Sequence, residues 1–230
     1  MIYSIICSRK DKQPINFNNL LKYFIEANIH CVVAYDQEGV FQGYNDTLNN
    51  LHEAFNVKDD DIIILCHDDI QIFSDRDQFV KTLTDSLASD NVGFVGPVGT
   101  TLLGTNAMWW DPHLRQQGYH RGFVFQGSDV NRLNPNYFGP HGNVVVLDGL
   151  FLAAKKKTID KIGGLGKPKE FLNGWDYYDL FYTMTAFEKG LTNKTVPIIL
   201  THYSDGVMRP TWDENRKEFR KLFRLPTRCM

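Results

Sequence analysis

The chain has 230 residues, 43% of them hydrophobic, enough for one generous domain with a buried site or for two small ones. Its 25 basic and 27 acidic residues leave a formal net charge of −2, so no general attraction to nucleic acid is expected and a charged ligand must be held locally. No run approaches the roughly 18–20 apolar residues that span a bilayer, and Met1-Ile2-Tyr3-Ser4-Ile5-Ile6 lacks the leader of a signal peptide; a cytoplasmic location is the expectation.

Tyr3 to Ser8, His30 to Tyr35, Asp61 to Leu65 and Val92 to Val95 are short β-rich runs that read as buried strands. Between them, Phe17, Leu20, Leu21, Phe24 and Ile25 recur at the spacing of one helix face, as do Tyr44, Leu48, Leu51 and Phe55, and then Phe79, Leu83 and Leu87. This alternation predicts a parallel sheet covered on both faces, with ligands outside the carboxyl ends of its strands. From Val98 to Gly142 periodicity is lost over a stretch rich in Gly, Asn, Pro, His and aromatic residues, which reads as a substrate-facing excursion. Val144 to Leu147 predicts a strand, and Thr158 to Ile162 a short helix stopped by Gly163-Gly164. A longer helix is predicted from Tyr177 to Lys189 with Gly190 as its cap, then a last strand from Val196 to Leu200. The tail from Thr211 to Leu225 places Trp212, Phe219, Leu222 and Phe223 on one helical face among several Arg and Lys. Of the four cysteines, at 7, 31, 66 and 229, three lie in apolar segments with no paired metal spacing, which reads as reduced, buried thiols.

The sharpest local signal is Ile62-Ile63-Ile64-Leu65-Cys66-His67-Asp68-Asp69, a strand ending in two adjacent carboxylates. Mg²⁺ and Mn²⁺ commonly bind one or two carboxylates together with substrate phosphates. On the pair alone, a cation site and a plain cap of the following turn are both open.

The segment resembles the GT-A glycosyltransferases, and more closely their small soluble family-2-like branch, in which a strand ends in a variant of Asp-x-Asp often written His-Asp-Asp. Other stretches resemble that branch in the same order. Upstream are Val32-Val33-Ala34-Tyr35-Asp36 and Gly43-Tyr44-Asn45; downstream are Val92-Gly93-Phe94-Val95-Gly96-Pro97-Val98-Gly99, Trp109-Trp110 and Asp148-Gly149-Leu150-Phe151-Leu152-Ala153. Gly163-Gly164 then precedes Trp175-Asp176-Tyr177-Tyr178-Asp179, and the last strand ends in His202-Tyr203-Ser204-Asp205-Gly206. The resemblance covers about 200 residues and implies a mixed, mainly parallel Rossmann-like sheet flanked by helices. It divides the chain into a nucleotide-binding half (1–97), an acceptor and catalytic half (98–206) and a C-terminal helical tail (207–230).

The same resemblance implies a metal-dependent inverting transfer from a nucleoside diphosphate sugar to a glycan, lipid-linked or small-molecule acceptor, with Mn²⁺ or Mg²⁺ as cofactor. Asp69 then ligates the metal, with His202 near it, and Asp68 lies against the ribose or sugar. Asp36, Tyr44 and Asn45 fall at base and ribose contacts, and Asp148 at the donor sugar or acceptor. Inverting transfer needs one base for the acceptor hydroxyl. By family position this is Asp179 or, one turn earlier, Asp176; Phe181 stands where many relatives carry a second acidic residue, which leaves the choice open. Adjacent tryptophans on an extended segment point opposite ways, so one, assigned as Trp110, stacks on a sugar face and the other joins the core.

Each assignment has a plainer counterpart. Asp176 and Asp179 suit a helix start, His202 a buried histidine, and Asp36 and Asn45 a strand-end turn and a helix cap. Lys155-Lys156-Lys157 reads as a solvated face or a phosphate contact. The basic face of Arg216, Lys217, Arg220, Lys221 and Arg224 either packs its helix on the domain or meets an anionic membrane as a peripheral contact. A sugar nucleotidyltransferase is the competing enzymatic reading, and Cys7-Ser8-Arg9-Lys10-Asp11 counts against it by lacking the glycines of a phosphate loop. A nucleotide-sugar-binding protein without turnover is the third reading.

Overall fold

A computed structural model describes residues 1–129, 132–204 and 208–229. The chain runs β1 (Ile2–Ser8), α1 (Phe17–Glu26), β2 (His30–Tyr35), α2 (Val40–Phe55), β3 (Ile62–His67), β4 (Ile70–Ile72), α3 (Arg76–Ser86), β5 (Val92–Gly96), β6 (Val98–Thr100) and β7 (Leu102–Leu103). It continues with α4 (Pro112–Gln116), β8 (His120–Gln126), β9 (Asn134–Gly139), β10 (Asn143–Val144), β11 (Val146–Leu147), β12 (Phe151–Lys155) and α5 (Lys156–Ile162). Last come α6 (Tyr178–Glu188), β13 (Thr192–Thr195), β14 (Leu200–His202), α7 (Pro210–Leu222) and β15 (Thr227–Arg228).

The main sheet has the order β10-β13-β5-β12-β3-β1-β2. One of its inner strands, β3, is an unbroken Ile-Ile-Ile-Leu run because both of its faces are covered. β1 pairs parallel with β2 and β3, as the alternating pattern predicts, and β5 pairs parallel with β13, which lies outside the predicted strands. β12 breaks the pattern: it lies antiparallel between β3 and β5, with Phe151 opposite Cys66 and Ala153 opposite Val95. The sheet is therefore mixed. Antiparallel insertion sets the beginning of β12 beside the carboxyl end of β3, and the His67 amide donates to the Leu150 carbonyl at 3.1 Å.

The aperiodic stretch after Val98 builds strands of its own. β6, β8 and β9 join β11, β14 and β4 in a second sheet that sits against the carboxyl edge of the first. Two predicted strands are corrected accordingly. Val144 to Leu147 is not one strand, because Val144 pairs with Asn193 in the main sheet while Val146 and Leu147 pair with β6 in the second. Val196 to Leu200 likewise carries the chain from β13 to β14, and Pro197 in its middle has no amide to give a ladder.

The helix faces differ from expectation at their ends. Ile25, Phe55 and Leu222 are exposed, and the buried faces run instead through Phe17, Leu20 and Phe24, through Phe41, Tyr44, Leu48 and Leu51, and through Phe219 with Phe223. β2, predicted buried, is an edge strand with only Ala34 fully covered, so Cys31 on it is half-buried; Cys7 and Cys66 are buried, Cys229 is half-buried, and all four are free. Lys155 and Lys157 pair with Asp60 and Asp90 at the end of the sheet opposite the carboxyl edge of β3. On α7, Arg216, Lys217 and Lys221 pair with Asp213, Glu214 and Glu218 three or four residues back, which cancels much of the predicted basic face. Among the described residues no helix is long and apolar enough to cross a membrane.

Asn193 ties the layers together from a fully buried position. Its Oδ1 accepts from the Phe94 amide at 2.9 Å, and its Nδ2 donates to the Val145 and Thr183 carbonyls, each at 2.7 Å. Asn193→Ala strands three buried backbone groups, so a loss of about 3 kcal/mol or more is expected, seen calorimetrically as a melting point lower by roughly 6–12 °C. A shift below about 2 °C would show that water or a rearranged neighbour replaces the amide.

Candidate active site

Three groups of residues converge at the carboxyl edge of β3. The first is the β3–β4 turn, which carries His67, Asp68 and Asp69. The second is the end of β14: its antiparallel pairing with β4 sets His202 opposite Ile70, and the Tyr203 amide donates to the Asp69 carbonyl at 2.8 Å. The third is the approach to β12 together with the first turn of α6, which brings Asp148, Gly149, Tyr178 and Asp179.

His67, Asp69 and His202 form a cluster of possible metal ligands, their donor atoms all within 4.8 Å of one another. The Asp69 Oδ1 lies 3.3 Å from His202 Nε2 and 3.6 Å from His67 Nδ1, and the two imidazole nitrogens are 3.3 Å apart. That Oδ1 is buried without a hydrogen-bond partner, a costly state for a carboxylate oxygen unless a cation satisfies it. Imidazole nitrogen with carboxylate oxygen is also a donor set that Mn²⁺ accepts, so the residues present fit a divalent ion. Burial alone would raise the Asp69 carboxyl, but the imidazoles, His202 foremost, outweigh it and hold it well below the usual carboxylate range. Burial would lower the His67 imidazole, and Asp69 overrides that to hold it above its ordinary value.

Asp68 faces the other way, as alternation along the chain requires. Its Oδ2 accepts from the buried Ser8 hydroxyl at 2.7 Å, and burial, with the Asp69 charge adding to it, raises its carboxyl.

Asp179 is half-buried in the first turn of α6 and accepts through Oδ2 from the Gly149 amide at 2.9 Å. Burial, helped by the charge of Asp148, pushes its carboxyl up to about 7. Gly149 is required by this packing: a Cβ there would meet the Tyr178 hydroxyl at 2.3 Å and Asp179 Cβ at 2.9 Å. The Tyr178 hydroxyl donates to the Gly149 carbonyl at 2.7 Å and lies 2.8 Å from His67 Nε2. Hydrogen bonds thus tie the Tyr178 hydroxyl to the His67 ring and the Gly149 carbonyl, and the Gly149 amide to the Asp179 carboxylate.

These groups border a cavity of about 510 Å³, within the range of small-molecule sites. All four tryptophans of the chain line it, together with Arg115 at one side and Met208. Trp109 is 6% exposed and packs on His120 and Phe138, while Trp110 is 37% exposed and leans on Trp212.

Of the residues singled out by sequence, Trp110, Asp148, Asp176, Asp179 and His202 line this cavity, with Asp69 beside His202. Asp176 is buried and already accepts from the Thr211 hydroxyl at 2.6 Å, a tie to the start of α7. Asp36 follows β2, two strands from β3 along the same edge, its amide donating to the Ser8 carbonyl and its Oδ1 accepting from the Lys10 amide. Asp36, Asp68, Tyr44 and Asn45 do not line the cavity. Tyr44 is 0% exposed and donates to the Cys66 carbonyl beneath the site, and Asn45 lines a separate hollow of about 300 Å³ with Glu38 and Asn173. Asp205 and Gly206 lie outside the described residues.

Sequence reasoning assigned no role to His67, Tyr178, Arg115, Trp175 or Trp212 in the cavity. The first carried a signal, since residues 67 and 69 stand two apart at a strand end and so share a side. Arg115, Trp175 and Trp212 are brought in by three distant segments and carry none.

Residues 19–220 match the pattern of the Glycosyltransferase like family. The chain belongs to that family. The mixed seven-stranded sheet with its flanking helices is accordingly a GT-A-like fold, and the family is one of transferases. No curated protein matches this glycosyltransferase-like chain. Among solved structures it is similar to A197 from STIV, at 13% identity and a TM-score of 0.48 over 90% of this chain and 96% of that one. A likeness at that level bears on neither the site nor its chemistry.

The raised Asp179 carboxyl gives this glycosyltransferase-like chain a pH signature in stability. Below about pH 4 the group is protonated folded or unfolded; between there and about 7 only the folded chain holds the proton, so rising pH costs stability across that window. Asp179→Asn removes the penalty and keeps an acceptor for the Gly149 amide. Its melting point relative to wild type is expected to climb from pH 4.5 to 7.5; a constant difference would place the Asp179 carboxyl in its ordinary range.

Proposed function

We propose that the chain is a metal-dependent inverting glycosyltransferase, moving a sugar from a nucleoside diphosphate sugar to a hydroxyl of a glycan, lipid-linked or small-molecule acceptor. The observation that carries this reading is the shared cavity: a carboxyl raised to about 7 and a His-Asp-His cluster stand at one cavity lined by aromatic side chains.

In this reading Asp69 and His202 hold Mn²⁺ or Mg²⁺, which when bound offsets the charge of the departing diphosphate. Asp68, Ser8 and Asp36 form the continuous sheet edge along which the nucleoside lies, within the nucleotide half 1–97. Tyr44 supports that edge from below. Asp148 meets the sugar, and Asp179 accepts the proton of the attacking hydroxyl. A base near 7 serves that task well, since it is largely ionised at neutral pH yet still basic enough to take the proton. The Gly149 amide, with that of Leu180, fixes the orientation of the Asp179 carboxylate toward the cavity. Asp176, engaged by Thr211, shapes the wall. Trp110 offers its exposed face to the apolar side of a pyranose, and Trp109 stiffens the wall behind it.

The reading is tested by screening nucleoside diphosphates and their sugars with Mn²⁺ by thermal shift, then assaying transfer with the donor identified. Asp69→Ala is expected to abolish metal-dependent binding of the nucleoside diphosphate while leaving the chain folded, which circular dichroism checks. Asp179→Asn is expected to keep donor binding and to slow transfer about 10²- to 10⁴-fold. In the wild type the rate should fall as pH drops below about 7. Donor binding that survives Asp69→Ala would overturn the metal assignment, and wild-type protein that binds donor without hydrolysing or transferring it would overturn the enzyme.

A further inference from the structure

We propose that His67 is a third protein ligand of the metal, held in its ligating form by the Tyr178 hydroxyl, so that the chain takes up a divalent transition metal before any nucleotide arrives. This rests on the metal reading above and narrows the cofactor to a chemical class.

Tyr178 has a single hydroxyl hydrogen, and it is directed to the Gly149 carbonyl at 2.7 Å, an atom that can only accept. Toward His67 Nε2, 2.8 Å away, the hydroxyl oxygen therefore accepts, and Nε2 carries the hydrogen. A neutral imidazole protonated at Nε2 has its lone pair at Nδ1. That atom is the one that lies 3.6 Å from Asp69 Oδ1 and 3.3 Å from His202 Nε2. The ring is gripped from behind and presents a lone pair in front, the arrangement that ligating histidines receive from their outer partners.

The spacing agrees with a single ion. Ligand atoms about 2.1 Å from one metal and subtending roughly 90–110° stand about 3.0–3.4 Å apart. The three separations here are 3.3, 3.3 and 3.6 Å, a nearly equilateral set that needs only a small contraction. The buried Asp69 Oδ1 without a hydrogen-bond partner points into the same triangle. Without metal, a hydrogen on one imidazole nitrogen spans the 3.3 Å between the rings and keeps the set assembled.

Two nitrogens and one oxygen change what the site selects. A lone carboxylate leaves Mg²⁺ mostly hydrated and dependent on substrate phosphates for its hold. Imidazole donors suit later first-row ions, and affinity at such a site rises from Mn²⁺ through Co²⁺, with Zn²⁺ also tight. Three protein ligands on one face hold the ion by themselves and leave its other positions open for the diphosphate. Tyr178 acts through His67 and is a positioning residue; its second bond, to Gly149, places the same hydroxyl one residue from the Asp179 base.

The test uses the full chain stripped of metal, with no nucleotide, titrated calorimetrically with Co²⁺, Zn²⁺, Mn²⁺ and Mg²⁺, and with Co²⁺ also by visible absorption. One equivalent of Co²⁺ is expected to bind with a ligand-field band, and Mg²⁺ at least about 100-fold more weakly. His67→Gln should weaken Co²⁺ by about 10- to 100-fold or more and alter the band, and Tyr178→Phe should weaken it about 10-fold and shift the band with His67 still in place. His67 is partly exposed, so the first variant is expected to fold, which its circular dichroism melt checks. Wild-type protein that takes metal only with a nucleoside diphosphate, or His67→Gln that binds Co²⁺ as wild type does, would overturn the third ligand. Mn²⁺-dependent donor binding that persists in His67→Gln would leave the proposed function standing, whereas its absence from wild type would remove that function first.

Discussion

The site depends on one strand running the wrong way. β12 lies antiparallel between β3 and β5, and this reversal places its beginning, not its end, at the carboxyl edge of the sheet. Asp148 and Gly149 precede that beginning, so the reversal sets them beside His67. Had β12 been parallel, those two residues would stand at the opposite edge, five residues of strand or about 16 Å away. The His67 amide bonded to the Leu150 carbonyl pins the junction.

Around that junction, polar groups support one another. Tyr178 holds Gly149 with its hydrogen and His67 with its oxygen; Gly149 in turn donates to Asp179. Residues 67 and 69 face each other and His202, and residue 68 reaches Ser8 on the other side. The absence of a side chain at 149 lets the tyrosine and the aspartate close on the backbone. In a buried network each bond is stronger than in water and each loss leaves a partner unpaired, so the His67 and Asp179 ends of this network support each other. The tryptophans form a wall around it, drawn from segments near residues 109, 175 and 212.

Much of this was legible in the sequence, for definite reasons. The buried strands β1, β3 and β5 announced themselves because a strand covered on both faces must be apolar throughout. The His67-Asp68-Asp69 edge followed from polarity appearing abruptly where such a strand ends, and the resemblance to the GT-A glycosyltransferases tied it to Asp148, Asp179 and His202. The second sheet was not legible. Its longest strands, β8 and β9, carry His, Gly, Asn and Pro among their residues, so their hydropathy shows no period of two over Val98 to Gly142. The two crossings at Val145 and at Val196 to Ile199 misled for the opposite reason, since segments passing between sheets are as apolar as strands without pairing like them. Tyr44 shows the limit of transferring positions by resemblance: it lies at the motif's place but its ring is wholly in the core.

The central claim is that a metal sits among His67, Asp69 and His202 and meets the diphosphate there. It is tested most directly by anomalous scattering from a crystal grown with Mn²⁺ and the nucleoside diphosphate that stabilises the protein. The account predicts one strong manganese peak bounded by His67 Nδ1, Asp69 Oδ1 and His202 Nε2, with a phosphate oxygen completing its coordination and the Asp179 carboxylate facing the open cavity. A manganese peak held by other residues, or a diphosphate bound with no metal between it and Asp69, would contradict it.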